Sequence, residues 1–306
     1  MAVQWYPGHM HKAQKEIAEI MPQIDMIIEV LDARIPYSSS NPMITKLRGD
    51  KPVIKLLNKR DLADPDLTSR WVDFLEQETG VRALPVTTQQ PAEVKALIET
   101  CRKLVPHRDQ MGKNIRAIIM GIPNVGKSTT INLLAGRIIA KTGNEPAVTK
   151  AQQRINLQNG VVLTDTPGML WPKVENENSG YRLAVTGAVK DTAIESDDVG
   201  MFAADYLLEA YPTLIQKRYG IDQLPQTGWD LLEEIGRRRG CLRSGGKVEM
   251  NKAADLLLHE LRAGTVGKIT METPEMVTAE EAEVERVRAE KADKKAQRKA
   301  KFKGRR

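Results

Sequence analysis

Two short motifs constrain the fold of this chain most, because of the order in which they occur. Residues 121–128 (Gly-Ile-Pro-Asn-Val-Gly-Lys-Ser) match G-x-x-x-x-G-K-[ST], a loop whose backbone N–H groups cradle phosphates. Residues 58–61 (Asn-Lys-Arg-Asp) match N-K-x-D, an element that reads the base of a bound nucleotide. The base-reading element ordinarily follows the phosphate loop, but here it comes first. Since both must contact one nucleotide, this order predicts an α/β nucleotide-binding domain of the phosphate-loop class that is circularly permuted.

The phosphate loop has the flanking pattern that its chemistry requires. Residues 116–120 are an apolar run typical of a buried strand, and residues 128–135 favour a helix that ends at Gly136. A strand, a glycine loop and a helix N-terminus together bind phosphate groups. We expect Lys127 to bridge the β- and γ-phosphates. The predicted contacts of this loop with the nucleotide are Asn124, Val125, Gly126, Lys127, Ser128 and Thr129.

A third motif supplies residues for magnesium and for the γ-phosphate. Residues 165–168 (Asp-Thr-Pro-Gly) match D-x-x-G and close a second apolar run at residues 161–163. Asp165 is expected to hold the water shell of Mg²⁺, and the N–H of Gly168 to meet the γ-phosphate. Thr149 lies between the two motifs, where it would complete the magnesium coordination together with Ser128.

The base-reading motif predicts guanine. The Asp61 carboxylate would accept hydrogen bonds from the N1–H and N2–H groups of guanine, whereas adenine would leave this carboxylate unpaired. We expect the Lys59 stem to pack over the base beside Asn58, although a solvated surface charge is the alternative. The second base loop is predicted at Thr87 and Thr88, where Ser-Ala is usual. The substrate is therefore predicted to be GTP.

The residue that orients the attacking water is missing from its usual place. Many GTPases have Gln directly after D-x-x-G, but this chain has Met169 and then Leu170, so intrinsic hydrolysis should be slow. His9 is the leading candidate for this role, because an imidazole can accept a proton from water near neutral pH. In the alternative interpretation, His9 only packs the N-terminal arm.

These residues resemble the ribosome biogenesis GTPase A family of permuted bacterial GTPases. Ala147, where a Gly is usual, and the pair Thr87–Thr88 depart from the family pattern. The resemblance extends over nearly the whole chain and rests on the nucleotide motifs together with residues 5–10 (Trp-Tyr-Pro-Gly-His-Met), 32–36 (Asp-Ala-Arg-Ile-Pro), 142–150, 165–172, 262–264 and 267–274.

The resemblance implies further roles. It implies that His9 acts in catalysis, and that Asn124 helps to hold a K⁺ ion against the phosphates, although Asn124 could instead only stabilise the loop turn. It also implies that the precursor of the large ribosomal subunit and its rRNA are the partners, with no DNA and no membrane. Two alternatives stay open: an RNA-binding module that uses GTP only as a stabilising ligand, and a GTPase that docks on anionic lipid.

Length and cysteine content indicate the organisation of the chain. The 306 residues allow a permuted GTPase domain at 1–178, a smaller all-α domain at 179–285 and a basic tail at 286–306. No apolar run approaches 18 residues, and Cys101 and Cys241 show no C-x-x-C spacing. We therefore expect neither a disulfide nor a zinc site, and a cytoplasmic location.

Charge is concentrated at the C-terminus. Residues 291–306 carry nine Lys or Arg against one Asp, a net charge of +8, while the whole chain carries +6. Such a tail commonly neutralises nucleic-acid phosphates, although it could serve only for solubility. We expect disorder from Glu280 onward. Residues 237–239 (Arg-Arg-Arg), with Arg243 and Lys247, are a candidate RNA-binding surface, although the triplet also suits a solvated helix C-terminus.

Overall fold

One six-stranded sheet organises the computed structural model, which describes residues 15–140, 153–171, 174–189 and 195–303. The spatial order of the strands is β3-β2-β1-β4-β6-β5. Five strands run parallel, and β5 is antiparallel to β6. The strands are β1 (Met26–Asp32), β2 (Val53–Asn58), β3 (Val81–Pro85), β4 (Ile115–Gly121), β5 (Gln153–Asn156) and β6 (Val161–Asp165).

The central strands form where the sequence has continuous apolar runs. Every residue of β1 and β2 is buried, as expected for parallel strands that are covered on both faces. The five strands expected from the sequence are confirmed. The edge strand β5 was not predicted, since its sequence Gln-Arg-Ile-Asn buries only Ile155 and gives too weak an apolar pattern.

Helices connect and cover the strands. Several begin at a proline that follows a capping side chain: Asn41 caps the first helix and Asp64 caps the second, each by accepting backbone N–H groups. The helices are α1 (Pro42–Arg48), α2 (Pro65–Leu75), α3 (Pro91–Leu104), α4 (Pro106–Gln110), α5 (Lys127–Ala135), α6 (Glu177–Val185), α7 (Ser196–Ala210), α8 (Pro212–Tyr219), α9 (Gly228–Arg239), α10 (Met250–Ala263) and α11 (Pro274–Lys303).

Helices α6 to α10 pack on one another, with α7 in the middle. An ideal Cβ at Gly200 of α7 would lie 2.5 Å from the Cβ of Ala254, so these two helices approach closely because residue 200 has no side chain. Beyond Leu170, the described residues contain no strand, as the sequence predicted, apart from an isolated bridge between Leu242 and Val248. The domain boundary expected near residue 178 falls inside α6.

After α10 the chain returns to the sheet. The Ile269 N–H donates to the Leu62 carbonyl at 2.9 Å, and the Met271 N–H donates to the Arg34 carbonyl at 2.7 Å. We call residues 264–272 the closing segment. This segment therefore lies against the loops that follow β1 and β2.

The expectation of disorder from Glu280 onward is wrong for residues 280–303, which continue helix α11. Near its start, Val277 is buried with Trp71 of α2. Further along, Glu280 accepts two hydrogen bonds from Arg182 at 2.7 and 2.8 Å. Ion pairs spaced three or four residues apart, such as those of Arg286 with Glu283 and Glu290, support the exposed part. The sequence analysis counted this segment as too polar to pack and overlooked these pairings.

Both cysteines are free, and Cys101 is buried. Across the part of the chain that the structure describes, no helix combines the length and the apolar character needed to cross a membrane.

Candidate nucleotide site

The predicted motifs meet at one edge of the sheet. Asn58 ends β2, Gly121 ends β4 and Asp165 ends β6, and these strands are parallel, so their carboxyl ends lie on the same side. This edge is where open α/β sheets bind ligands. The amide nitrogen of Asn58 donates to the carbonyl oxygen of Val125 at 2.7 Å. The base-reading motif and the phosphate loop are therefore in direct contact.

Two residues with positive φ shape the phosphate loop. Asn124 has φ of 62° and Gly126 has φ of 89°, after which α5 begins at Lys127. The N-terminus of this helix presents free N–H groups and a partial positive charge, which together favour phosphate. An ideal Cβ at Gly168 would lie 3.3 Å from the Cα of Pro123, so the D-x-x-G motif also lies close to this loop.

The ammonium of Lys127 forms an ion pair and hydrogen bond with the carboxylate of Asp165. Both side chains are buried. Burial lowers the pKa of Lys127 and raises that of Asp165, while the attraction between the two groups opposes both shifts. The structure thus brings together the lysine predicted to bind the β- and γ-phosphates and the carboxylate predicted to hold magnesium.

The base half of the site contains two predicted segments. Asp61 accepts a hydrogen bond from the amide of Gln89 at 3.0 Å, and Lys59 donates to Asp32 at 2.9 Å. Thr87 is buried and follows β3 directly, as predicted; its hydroxyl accepts from the Gln89 N–H at 3.2 Å. The loop that begins at Thr87 therefore lies beside Asp61.

Asn124 has a contact that the sequence did not predict. Its amide nitrogen donates to the carbonyl oxygen of Gly187 at 2.7 Å, just beyond α6. Arg262 of α10 donates to the carbonyls of Ala184 and Val185, each at 2.9 Å. The phosphate loop is thus linked through the end of α6 to the helical region.

The two residues after D-x-x-G are buried in apolar clusters, Met169 at 3% exposure and Leu170 at 2%. The amide nitrogen of Asn41 donates to the Met169 carbonyl at 3.2 Å, which anchors the backbone there. These apolar side chains cannot orient a water molecule. His9 and Thr149, together with Ala147, lie outside the described residues.

The arrangement fits a guanine nucleotide with magnesium. The Oδ1 atom of Asn58 is buried and has no hydrogen-bond partner within the described chain, so the base half contains a free polar acceptor. The hydroxyl of Ser128 and the carboxylate of Asp165 are hard oxygen ligands, which Mg²⁺ prefers. When bound, Mg²⁺ neutralises phosphate charge.

Sequence reasoning gave no role to Asp32, Gln89 or Asn41. Asp32 appeared only within a family motif, and Gln89 lies two residues beyond the predicted Thr87. Asn41 precedes Pro42, a signal for a helix cap, but its contact with Met169 spans 128 positions and could not be read from the sequence.

The phosphate loop, D-x-x-G and N-K-x-D segments, assembled at one sheet edge, define a GTPase. A family model described as a 50S ribosome-binding GTPase matches residues 116–223. Ribosome biogenesis GTPase A of Priestia megaterium is 45% identical over 90% of this chain and 98% of its own length; the Bacillus cereus protein is 43% identical over 94% and 99%. The chain belongs to the ribosome biogenesis GTPase A family, as its motifs indicated, and it hydrolyses GTP.

Solved structures agree with this assignment. The GDP-bound structure of YlqF from Thermotoga maritima has a TM-score of 0.60 and 28% identity, covering 85% of this chain and 99% of that one. The GNP-bound structure of the same protein has the same TM-score and identity and covers 87% and 99%.

Proposed function

We propose that this GTPase is an assembly factor that binds the maturing large ribosomal subunit in the cytoplasm and leaves it after GTP hydrolysis. The names of its relatives support a role in ribosome assembly. The structural observation that carries the proposal is the direct connection of the γ-phosphate segment to the helical region. Residues 165–168 are followed in the chain by α6, which contacts both halves of the molecule.

Contacts of α6 suggest how hydrolysis alters subunit binding. The hydroxyl of Ser38, after β1, donates to that of Ser179 at 3.0 Å, while Arg182 pairs with Glu280 at 2.7 Å. Loss of the γ-phosphate would remove its contacts with Thr149 and Gly168. The segment that leads into α6 would then rearrange, and the helical region would turn relative to the sheet.

We infer that the GTPase domain is circularly permuted. The base-reading strand β2 precedes the phosphate-loop strand β4 in the chain but lies two places from it in the sheet. We assign residues 1–178 to the GTPase domain, 179–285 to a helical RNA-binding domain and 286–306 to a basic tail. The closing segment and the first turns of α11 reach back from the second unit to the first.

We assign the catalytic roles as follows. Lys127 binds the β- and γ-phosphates, and the Gly168 N–H meets the γ-phosphate. Ser128, Thr149 and Asp165 hold the magnesium and its water shell. The buried Met169 and Leu170 leave water orientation to another group, and His9 is our candidate.

We assign K⁺ to Asn124, where it would add positive charge beside the phosphates. The amide nitrogen of Asn124 is taken by Gly187, so the side-chain oxygen is the atom that would ligate the ion.

Basic residues of the helical region and the tail form the proposed RNA surface. Arg237 and Arg238 pair with Glu233 and Glu234, each at 2.6 Å, which reduces their value for phosphate binding. Arg243 and Lys247 lie on the exposed loop between α9 and α10. We therefore give Arg243, Lys247 and the tail a larger share of the rRNA contact than the arginine triplet.

Turnover measurements test the proposal. GTP hydrolysis is measured alone, with precursors of the large subunit and with small subunits, and binding to large-subunit precursors is compared with GDP and with a non-hydrolysable GTP analogue. We expect stimulation by the large-subunit precursor alone, and tighter binding with the analogue. Equal stimulation by both subunits, or binding that is indifferent to the nucleotide, would refute the proposed role.

A further inference from the structure

A buried carboxylate lies directly behind the base-reading motif. Asp32 ends β1 in register with Asn58 of β2, and its side chain is 3% exposed. It accepts from Nε and Nη2 of Arg34 at 2.9 and 2.7 Å, and from Nζ of Lys59 at 2.9 Å. One carboxylate therefore holds two cations, one of which belongs to the N-K-x-D motif.

Lys59 is held in an unfavourable backbone conformation. Its φ is 60°, a left-handed value that a side chain with a Cβ rarely adopts. Such a conformation persists only where the surroundings fix it. The Asp32–Lys59 hydrogen bond supplies a fixed point at the far end of the lysine side chain, while the Ala33 N–H donates to the Asn58 carbonyl at 2.8 Å on the backbone side.

Charges alternate across this part of the site. Burial lowers the pKa of Arg34, but the attraction of Asp32, with a smaller contribution from Asp61, outweighs burial and raises it. Arg34 thus lies within electrostatic reach of both Asp32 and the carboxylate predicted to read guanine. The set of Asp32, Arg34, Lys59 and Asp61 has no net charge, which keeps a buried cluster of this kind tolerable.

The closing segment fixes this cluster from behind. The carbonyl of Arg34 accepts from the Met271 N–H at 2.7 Å, and the hydroxyl of Thr270 accepts from the Asp64 N–H at 3.1 Å. Asp32 is therefore part of a braced loop, and its position relative to Lys59 does not depend on the nucleotide alone.

We propose that Asp32 is a positioning residue for guanine-nucleotide binding, which acts by holding the ammonium of Lys59 so that the lysine stem packs on the base. This inference rests on the proposed role of residues 58–61 in reading the base. A purely structural role for Asp32 would instead affect the folded protein as a whole, without any specific dependence on Lys59.

A double-mutant cycle separates these two roles. GDP affinity is measured by calorimetric titration for the wild type, Asp32→Asn, Lys59→Met and the double variant. Lys59→Met retains most of the apolar stem but removes the ammonium. We expect each single substitution to weaken binding roughly ten- to a hundredfold, as for a lost hydrogen bond to a charged group. The double variant should bind about as weakly as either single variant, because both remove the same interaction.

Asp25 offers a matched control. Its carboxylate also pairs with two cations, Arg108 at 2.8 Å and Arg116 at 3.1 Å, but it precedes the opposite end of β1. Asp25→Asn should lower the melting temperature of the nucleotide-free protein without changing GDP affinity. If Asp32→Asn does not fold, Asp32→Glu keeps the charge but displaces it, and it should weaken GDP binding in the wild type and not in the Lys59→Met background.

Three results would overturn the inference. Losses of affinity that add in the double variant would show that Asp32 acts independently of Lys59. Unchanged affinity in Asp32→Asn, with Lys59→Met impaired, would refute the role of Asp32 but leave the base-reading assignment intact. Unchanged affinity in Lys59→Met would refute both.

Discussion

The amide nitrogen of Asn58 donates to the carbonyl oxygen of Val125 at 2.7 Å, across 67 positions of sequence. This single bond joins the segment that is predicted to read the base to the loop that is predicted to hold the phosphates. An ideal Cβ at Gly126 would overlap the same amide nitrogen, so the contact requires glycine there. The distance between the two halves of the nucleotide site is therefore fixed by Asn58 and the glycine beside it.

Gly126→Ala should lower GDP affinity by more than tenfold. The new methyl group would displace Asn58, and a residue with a Cβ at φ of 89° costs about 1–2 kcal/mol. Gly136→Ala is the control, because Gly136 has φ of 65° but no atom within 4 Å of an added Cβ. Titration of both variants with GDP distinguishes displacement from backbone strain. Equal losses in the two variants would show that strain alone is responsible.

Asp61→Asn should shift the preference of the enzyme from GTP towards xanthosine triphosphate. The carboxylate complements two donors of guanine, and an amide complements the base that has a carbonyl at C2. Competition between the two nucleotides for binding gives the ratio of affinities. A variant that prefers GTP by the same margin as the wild type would refute the assignment of Asp61.

His9→Ala should retain GTP affinity but reduce turnover stimulated by large subunits by roughly ten- to a thousandfold, the range for a lost proton-transfer or positioning group. Met169 and Leu170 are buried and cannot compensate. His11→Ala serves as the neighbouring control. Steady-state hydrolysis with and without subunits is the measurement. Unchanged stimulated turnover in His9→Ala would leave this residue with a packing role.

Replacing Na⁺ by K⁺ should raise the hydrolysis rate if Asn124 holds the ion, because a cation beside the phosphates stabilises the charge of the transition state. Asn124→Ala should abolish the difference between the two salts. This substitution also removes the hydrogen bond to Gly187, so GDP affinity is measured in parallel. The same rate in both salts for the wild type would eliminate K⁺ from the mechanism.

Deletion of residues 291–306 removes nine cationic side chains. The melting temperature and unstimulated hydrolysis should stay near wild type, since Val277 and Glu280, which anchor α11, are retained. Affinity for the large subunit should fall, and its dependence on the logarithm of salt concentration should become shallower by several units, because fewer phosphates are neutralised. Binding with an unaltered salt slope would show that the tail serves only for solubility.

Local patterns in the sequence were sufficient to identify the strands and the nucleotide motifs. The runs that form β1, β2 and β4 are continuous and apolar, so they predicted buried parallel strands. The phosphate loop and D-x-x-G were recognisable because their chemistry depends on residues close together in the chain. The order of the motifs indicated the permutation without any structure.

Tertiary structure decided which groups contact the motifs from a distance. Asp32 binds Lys59, Gly187 binds Asn124, and the closing segment braces the loop after β2; each of these contacts joins residues far apart in the chain. Residues 280–303 were predicted to be disordered from their polarity, whereas Arg182 and Trp71 supply partners for the start of α11. A sequence records which residues can pair, but only the folded chain determines which pairs are brought within hydrogen-bond distance.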